Sequence, residues 1–333
     1  MRIGTGLFSG QRRPDDDRSM TEIYDEMIEL GKHAEEVGLD SLWASEHHFA
    51  EDAYLPGVST TLGGLATATD DIQIGTSMIL APLHNPVRLA ENAATLSLLS
   101  NGRFTLGVAN GYRDVEFKNF GIPKRERANR TEEAIKIARR AWSDGPLDYQ
   151  PLFADVSEDA MITPKPDIAP EITIGGLSKN AVRRSAQMAD GWTAPEMTSL
   201  DDIAKRKRYI ERLREVEKKS GDFTVYIQRY CYVDESEEAA WETIQDSLFY
   251  VQRKYDEWFG LGDDGLSEER KQEIRDYTMV GSPEEIAEEL DEYEDVLGDD
   301  IHMILRTYHP GIGTENLRRT NEMIGDEIAP QFQ

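Results

Sequence analysis

The stretch from Ile72 to Gly121, IQIGTSMILAPLHNPVRLAENAATLSLLSNGRFTLGVANGYRDVEFKNFG, decides the fold. Ile72 to Leu80 becomes almost continuously apolar toward its end, which is typical of a strand covered on both faces. Pro86 stands where the first turn of a helix tolerates proline, and apolar residues follow at helical spacing until Asn101-Gly102 stops the pattern. Phe104 to Val108 then resumes as a strand. The stretch therefore predicts one complete βαβ unit.

The rest of the chain repeats this alternation of strand and helix. Strand patterns lie at Arg2 to Phe8, Ser41 to Ser45, Ile72 to Leu80, Phe104 to Val108, Ile172 to Ile174, Gly191 to Ala194, Phe223 to Val233 and Ile301 to Thr307. Eight strands, each followed by helical sequence, favour the closed parallel (β/α)8 TIM barrel of the α/β class over an open doubly wound sheet. We expect a single domain over residues 1–333, with insertions at about 146–170 and 235–277, after the fourth and seventh strands.

The chain is strongly acidic, with a formal net charge of −27 at pH 7 and an isoelectric point near 4.6. Such a surface repels nucleic acid and anionic membranes, so we expect neither as a partner. Only 12 of the 37 basic residues are lysines. An acidic, lysine-poor surface indicates adaptation to high salt, where screening weakens the repulsion between like charges. An ordinary acidic cytosolic enzyme is the alternative interpretation.

The sequence contains no signal for a membrane or a secretory pathway. Its longest apolar runs fall short of the roughly 18 residues that a membrane-spanning helix needs. The opening MRIGTGLFSG lacks the basic region, apolar core and cleavage site of a signal peptide. We therefore expect a cytoplasmic protein. The single cysteine, Cys231, excludes an internal disulfide and is expected to be a small apolar residue in a strand.

The predicted strand ends carry most of the histidines, and the chemistry of a parallel barrel gathers at the carboxyl ends of its strands. Four of the six histidines fall there: His47, His48, His84 and His309. Adjacent His47 and His48 cannot share one face of a strand, because side chains alternate. A single imidazole suits a general acid or base, or a hydrogen-bond partner for a bound ring. The sequence holds no HExxH motif and no evident histidine–carboxylate cluster, so we expect no metal.

The turn Gly175-Gly176-Leu177-Ser178 precedes a predicted helix. The free N–H groups and the positive dipole end of a helix start attract phosphate, and Ser178 can both cap the helix and donate a hydrogen bond. Glycines before a helix are equally compatible with a plain tight turn, so the pattern alone leaves both interpretations open. Gly107 to Gly111, GVANG, does not match a dinucleotide signature and indicates a turn that lets the backbone approach a neighbour closely.

Several groups of residues form one larger pattern along the chain. They are Trp43 to Phe49 (WASEHHF), Gly75 to Pro82, Asn85 to Glu91, Asn101 to Phe104 with Leu106-Gly107, Gly111-Tyr112 with Glu116-Phe117 and Phe120-Gly121, Gly175 to Ser178 with Ala189 to Trp192, and Leu305-Arg306 through Pro310-Gly311. Together they resemble the luciferase-like flavin monooxygenase family, the group that includes bacterial luciferase. The resemblance covers essentially the whole chain and is most specific up to Gly121.

The resemblance implies the same eight-stranded barrel, with reduced FMN at the carboxyl end of the strands. There the flavin reacts with oxygen and an organic substrate is oxidised. His47 stands at the position of the active-site histidine, which serves acid–base chemistry near the flavin. A non-proline cis peptide bond, against which the flavin ring packs, falls at Ser77-Met78. The residues implied to hold the flavin are Ser77, Met78, Asn110, Tyr112, Gly175, Gly176, Leu177 and Ser178.

Three positions depart from luciferase itself. Asn110 replaces an arginine that helps to hold the cofactor, and Leu177 replaces an acidic residue beside the phosphate-binding serine. Ala109 stands at the position of the reactive cysteine. These differences argue against light emission. They leave the basic partner of the phosphate open between Arg183 and Lys179.

The resemblance implies an FMN-dependent oxidoreductase, specifically a two-component monooxygenase that receives reduced flavin from a separate reductase and oxidises a small organic substrate. Two alternatives stay open: an F420-dependent dehydrogenase or reductase, which transfers hydride, and a flavin-binding protein without turnover. Members of the family commonly dimerise through helices near strands two to four. We therefore expect a homodimer, with the apolar face Leu89, Ala93 and Leu96 as support. The two insertions would cover the substrate.

Overall fold

The computed structural model describes residues 1–262 and 265–332, in which strands and helices alternate. The strands are β1 Arg2–Phe8, β2 Ser41–Ala44, β3 Gln73–Thr76, β4 Ile79–Leu80, β5 Phe104–Ala109, β6 Glu171–Gly175, β7 Gly191–Ala194, β8 Thr224–Val233, β9 Thr278–Gly281 and β10 Ile301–Arg306. The α-helices are α1 Met20–Glu36, α2 Val58–Ala68, α3 Pro86–Leu99, α4 Asp114–Asn119, α5 Arg127–Trp142, α6 Lys179–Met188, α7 Leu200–Val216, α8 Glu237–Phe259, α9 Glu268–Asp276, α10 Pro283–Leu297 and α11 Thr314–Met323. None of the helices in these two ranges is long and apolar enough to cross a membrane.

The strands close into a parallel ring. Each strand pairs with the next in the order β10, β1, β2, β3, β5, β6, β7 and β8, and β8 pairs with β10 to complete the circle. β3 and the short strand β4 together form the third strand of the barrel, because both pair with β5. The predicted (β/α)8 barrel is therefore confirmed. Since all these pairs are parallel, the loops that follow the strands meet at one rim.

Two strand details differ from the sequence prediction. The predicted third strand, Ile72 to Leu80, is divided into β3 and β4 at Ser77-Met78, where the peptide bond is cis. The predicted insertion at 235–277 consists of α8 and α9 and leads into β9, a strand that the sequence did not indicate. β9 forms because β8 is long and extends beyond its pairing with β10, which ends at Tyr230 and leaves the edge free at 231–233. Residues 263 and 264 of this insertion lie outside the described residues.

The interior of the barrel is filled by Trp43. This indole is fully buried and its N–H donates to Ser41 Oγ at 2.7 Å. Its apolar neighbours inside the ring are Leu7, Tyr226 and Ile304. Gly75 on β3 faces the indole, and a Cβ atom at that position would overlap the ring. The barrel is thus a packed core, and polar chemistry has room only at the rim.

The apolar face of α3 lies inside the protomer. Leu89, Ala93 and Leu96 are at most 4% exposed and belong to the main hydrophobic core. Their burial is complete without a second chain, so this face does not provide the dimer surface suggested from the sequence. The reason is that the periodicity of a helix shows which side is covered, but not whether its own domain or a partner covers it. The homodimer itself remains a prediction.

Candidate active site

The loop that follows β2 places His47 at the carboxyl rim of the barrel. Ser45 N–H donates to Phe8 O at the end of β1, Glu46 N–H donates to Met78 O, and His47 N–H donates to Leu55 O. These backbone bonds fix the loop to its neighbours on both sides. The side chain of His47 is consequently held in a buried position, with 6% exposure.

His47 pairs with Glu116, a fully buried residue of α4. The His47 Nδ1 atom lies 2.9 Å from Glu116 Oε1, and the same oxygen accepts the backbone N–H of His48 at 3.0 Å and Arg113 Nη1–H at 3.3 Å. An oxygen that already accepts two hydrogen bonds acts as an acceptor toward His47 as well. The proton of the imidazole therefore sits on Nδ1, and Nε2 is left as a basic nitrogen.

Burial lowers the pKa of His47 below its usual value, and the neighbouring Glu116 carboxylate opposes this shift without overcoming it. The neutral imidazole is therefore the form present at neutral pH. Aromatic rings surround the imidazole on several sides, with centroid distances of 4.8 Å to Tyr54, 4.9 Å to Trp258 and 5.6 Å to Tyr112. A neutral base in a dry aromatic pocket is suited to moving a proton out of contact with bulk water.

The cis peptide bond at Ser77-Met78 lies where the family resemblance places it. Gln228 on β8 holds this segment, because its Nε2–H donates to Ser77 Oγ at 2.9 Å and to Ser77 O at 3.2 Å. Two glycines make room for the Met78 side chain. A Cβ atom on Gly107 would lie 3.0 Å from the Met78 sulfur, and one on Gly175 would lie 3.0 Å from Met78 Cγ. Whether this segment supports a flavin ring stays a prediction.

The turn Gly175 to Ser178 connects β6 to α6. Gly176 has a φ of +125°, a conformation that residues with a side chain rarely adopt. Ser178 caps α6, since its Oγ accepts Ala181 N–H at 3.2 Å. The predicted basic partners, Lys179 and Arg183, are both exposed. The structure adds a further cation that the sequence did not indicate: Arg206 on α7 donates from Nε to the carbonyl of Leu177 at 3.2 Å.

Asn110 and Tyr112 follow β5 at the same rim and are both half-buried. The ring of Tyr112 stacks on Phe259, with centroids 4.3 Å apart and planes inclined by 12°. Burial raises the pKa of Tyr112 far above its usual value, so its hydroxyl stays a neutral donor. Phe259 belongs to the last turn of α8, which brings the second predicted insertion over the predicted cofactor site.

The rim contains buried polar atoms that the described residues leave unpaired. They include Ser9 Oγ, Tyr112 Oη, Glu116 Oε2 and Arg306 Nη2. Buried donors and acceptors in folded proteins nearly always have partners, so unpaired ones gathered at one end of a barrel fit a ligand that carries several polar atoms. A flavin or deazaflavin ring system with its phosphorylated side chain has this character. The residues present therefore fit the cofactor that the resemblance implies.

Sequence reasoning missed a second polar group in the centre of the rim. Arg306, at the end of β10, is fully buried and donates from Nη1 to Glu196 Oε1 at 3.0 Å and to the Tyr230 hydroxyl at 3.2 Å. Nearby, the hydroxyl of Tyr54 bonds to Ser45 Oγ at 2.6 Å. These residues come from β8, β10 and the loops after β2 and β7, so only the closed barrel brings them together.

The structure also assembles a histidine–carboxylate cluster that the sequence did not reveal. Glu46 and His48 lie in the loop after β2, and His84 reaches them from the segment after β4. The spacing of these residues in the sequence does not reveal the cluster, and the expectation that no metal binds remains a prediction. His84 lies 36 positions from His48, a separation too long for a local metal-binding motif. His47, in contrast, points to Glu116 on the opposite side.

A parallel (β/α)8 barrel that gathers a buried histidine–glutamate pair and a glycine–serine turn at its carboxyl rim has the architecture of an α/β-barrel enzyme. The family profile described as luciferase-like monooxygenase matches residues 1–300. The chain belongs to the luciferase-like monooxygenase family, which confirms the resemblance noted from the sequence.

Individual relatives differ in cofactor. The oxygenase component of the flavin-dependent trigonelline monooxygenase of Acinetobacter baylyi is 23% identical over 352 residues, covering 98% of this chain and 94% of that protein. The F420-dependent glucose-6-phosphate dehydrogenase of Amycolatopsis mediterranei is 30% identical over 174 residues, covering 50% of this chain and 52% of that protein. The crystal structure of the monooxygenase RslO1 from Streptomyces bottropensis superimposes with a TM-score of 0.86 at 20% identity, covering 100% of both chains.

Proposed function

We propose that this protein is an FMN-dependent monooxygenase, the oxygenase component of a two-component system. The observation that carries the proposal is the buried His47–Glu116 pair, which presents a basic Nε2 in an aromatic pocket. The loop that carries His47 is bonded to the cis segment through Glu46 N–H and Met78 O. The full-length similarity to the oxygenase component of a flavin-dependent monooxygenase supports it. A small organic molecule would be the substrate.

Each part of the rim has a role in this proposal. Bound reduced FMN would supply the electrons that activate oxygen. The Ser77-Met78 segment would support one face of the ring, with Asn110 and Tyr112 beside it. The backbone N–H groups of the Gly175 to Ser178 turn would bind the phosphate, because a helix start attracts anions.

The protein side of the reaction is proton transfer in a dry pocket. His47 would accept a proton at Nε2 from the reacting group or return one to it, while Glu116 holds the ring in the Nδ1–H tautomer. The Tyr54 and Trp258 rings, together with Tyr112, would exclude water around the imidazole. The reduced flavin would come from a separate reductase.

An F420-dependent dehydrogenase or reductase is the second candidate. The similarity to an F420-dependent dehydrogenase over half of the chain favours it. The same rim would then hold a deazaflavin, and the reaction would be hydride transfer without oxygen. His47 would again serve as the acid or base for the proton that accompanies the hydride.

Cofactor binding separates these two candidates. Purified protein is titrated with reduced FMN under nitrogen and, separately, with F420, and binding is followed by fluorescence. We expect micromolar or tighter binding of reduced FMN and weak binding of F420. Tight binding of F420, with oxygen consumption no faster than that of free reduced FMN, would overturn the monooxygenase proposal.

The matched pair of variants is His47→Ala and His33→Ala. Both remove a buried imidazole, but His33 lies in the last turn of α1, which runs antiparallel to the strands and so ends at the opposite side of the barrel. His47→Ala should bind FMN like the wild type and lose oxygen-dependent turnover by about 10²-fold or more. His33→Ala should keep both properties.

A further inference from the structure

The cluster of Glu46, His48 and His84 is a second chemical feature of the carboxyl rim. Glu46 Oε1 lies 3.2 Å from His48 Nε2 and 2.8 Å from His84 Nε2. The three candidate ligand atoms all lie within 4.8 Å of one another. The Glu46 side chain is fully buried, whereas 14% of the His48 side chain and 26% of the His84 side chain are exposed. The cluster is therefore built on a buried carboxylate and opens to solvent on its histidine side.

The other carboxylate oxygen of Glu46 is already fixed. Leu80 N–H donates to Glu46 Oε2 at 2.5 Å. This bond orients the carboxylate so that Oε1 faces both imidazoles, while Oε2 also lies 3.1 Å from His84 Nε2. Hydrogen bonds that orient a ligating carboxylate from behind are a regular feature of metal sites in proteins.

The donor set has a defined chemical preference. Two imidazole nitrogens and one carboxylate oxygen suit divalent ions of the zinc and cobalt class, which bind nitrogen and oxygen ligands at about 2.0–2.2 Å in a near-tetrahedral arrangement. Three protein ligands leave one position for a water molecule, and the exposed side of His84 provides its entry. Magnesium and calcium prefer sites made of oxygen atoms alone, so this set disfavours them.

We propose that Glu46, His48 and His84 bind one divalent transition-metal ion of the zinc class. The ion takes the place of the hydrogen on each imidazole Nε2 atom, and each ring then carries its single N–H at Nδ1 as a neutral ligand. His47 is not one of the ligands, because its ring lies outside the group of atoms formed by Glu46, His48 and His84 and pairs with Glu116 instead.

The site has a structural consequence for the neighbouring rim. It joins the loop after β2 to the segment after β4. The same loop is already held to the cis segment by the hydrogen bond from Glu46 N–H to Met78 O at 3.3 Å. A metal ion would thus tie the loop that carries His47 to the segment that contains the cis bond and β4. The proposal goes beyond the flavin-dependent function and does not rest on it.

The test uses full-length protein that has been treated with a chelator and dialysed. Cobalt(II) is added and followed by its visible absorption, and zinc(II) binding is measured by calorimetry. We expect one equivalent of each ion, and a higher midpoint of thermal unfolding in the presence of zinc, because an ion that binds only the folded state stabilises it. Failure of the wild type to bind either ion would overturn the proposal and would leave the two histidines as hydrogen-bond donors to Glu46.

Variants locate the site. His48→Ala and His84→Ala should each weaken zinc binding about tenfold or more, and Glu46→Gln should do the same while keeping a side chain of the same shape. His33→Ala is the control, since His33 also lies near two carboxylates, those of Glu36 and Glu322, at the other end of the barrel. Unchanged binding in both His48→Ala and His84→Ala would overturn the proposal.

A wild-type measurement covers the case in which a variant does not fold. Diethyl pyrocarbonate modifies accessible imidazoles, and mass spectrometry locates the modified residues. Zinc should protect His84 from modification, because the ion occupies the reactive Nε2 atom. Equal modification of His84 with and without saturating zinc would contradict the assignment.

Discussion

His47 shows how two weak features make one strong site. A histidine at a strand end is common, and a buried glutamate in a short helix is only a polar residue that needs partners. Together they give a neutral imidazole with a defined tautomer, because Glu116 accepts from Nδ1 and burial lowers the pKa. The sequence places His47 correctly at the rim. It does not show that Glu116, 69 residues later, is its partner.

The first prediction concerns the pH dependence of this pair. If neutral His47 is the active form, the rate of oxygen-dependent reoxidation of protein-bound reduced FMN should be constant at neutral pH and fall only below the lowered pKa of His47. Because Glu116 raises that pKa against the effect of burial, Glu116→Gln should shift the acid limb to still lower pH. Rapid-mixing measurements from pH 5 to 8 on both proteins test this. If the fall in rate at acid pH occurs at the same pH or at a higher pH in Glu116→Gln, the prediction is contradicted.

The second prediction concerns His309, which donates from Nε2 to Cys231 O at 3.0 Å. Burial lowers the pKa of His309 from 6.5 to about 4. The unfolded chain therefore takes up this proton near pH 6.5, whereas the folded protein resists it until about pH 4. The free energy of unfolding therefore has its full value, as far as His309 is concerned, above pH 6.5. It falls by roughly 3 kcal/mol in all as the pH is lowered toward 4.

Denaturant unfolding at several pH values between 4 and 7 measures this effect. His309→Gln keeps a donor for the carbonyl of Cys231 but cannot be protonated, so its free energy of unfolding should depend less steeply on pH. A pH dependence identical to that of the wild type would show that His309 is not responsible.

At the scale of elements, the strands of the barrel were predictable because buried parallel strands are apolar runs at regular spacing. What the sequence did not show depends on contacts between distant segments. The edge of β8 that recruits β9 exists only once β10 has paired with the rest of β8. Arg306, Glu196 and Tyr230 likewise meet only in the closed ring. Arg113 and Glu116 had a local signal, because Arg113 is the N-cap of α4 and a residue three positions later lies one turn away from it.

The third prediction concerns the close contact between β5 and β3. A Cβ atom at Gly107 would fall far inside the van der Waals radius of the Thr76 carbonyl oxygen and 3.0 Å from the Met78 sulfur. Gly107→Ala should therefore lower the free energy of unfolding by about 1–3 kcal/mol, since the strands must separate to admit the methyl group. Chemical denaturation measures this change.

Gly63→Ala is the matched control for that experiment. Gly63 lies within α2, and the nearest atom to an added Cβ is 4.0 Å away, in Leu96. Alanine there should be neutral or stabilising, by up to about 1 kcal/mol, because it favours the helix. Equal effects of the two substitutions would show that the contact between β5 and β3 is not tight.

At the scale of the whole molecule, the net charge of −27 makes repulsion between acidic groups the main electrostatic contribution to stability. The fourth prediction is that the midpoint of thermal unfolding rises with potassium chloride up to molar concentrations, because screening weakens repulsion between acidic groups. Differential scanning calorimetry measures the midpoint at each concentration. A midpoint that is independent of salt or falls with it would exclude adaptation to high salt. The predicted homodimer can be tested in the same buffers by light scattering.

The central claim is that the carboxyl rim of this barrel binds reduced flavin and controls its reaction with oxygen. Stopped-flow mixing of reduced FMN, bound to excess protein under nitrogen, with oxygenated buffer tests this claim most directly. The predicted result is flavin reoxidation with a time course different from that of free reduced FMN, and a further change in His47→Ala at equal flavin occupancy. Reoxidation at the rate of free reduced FMN, with wild type and His47→Ala indistinguishable, would contradict the account.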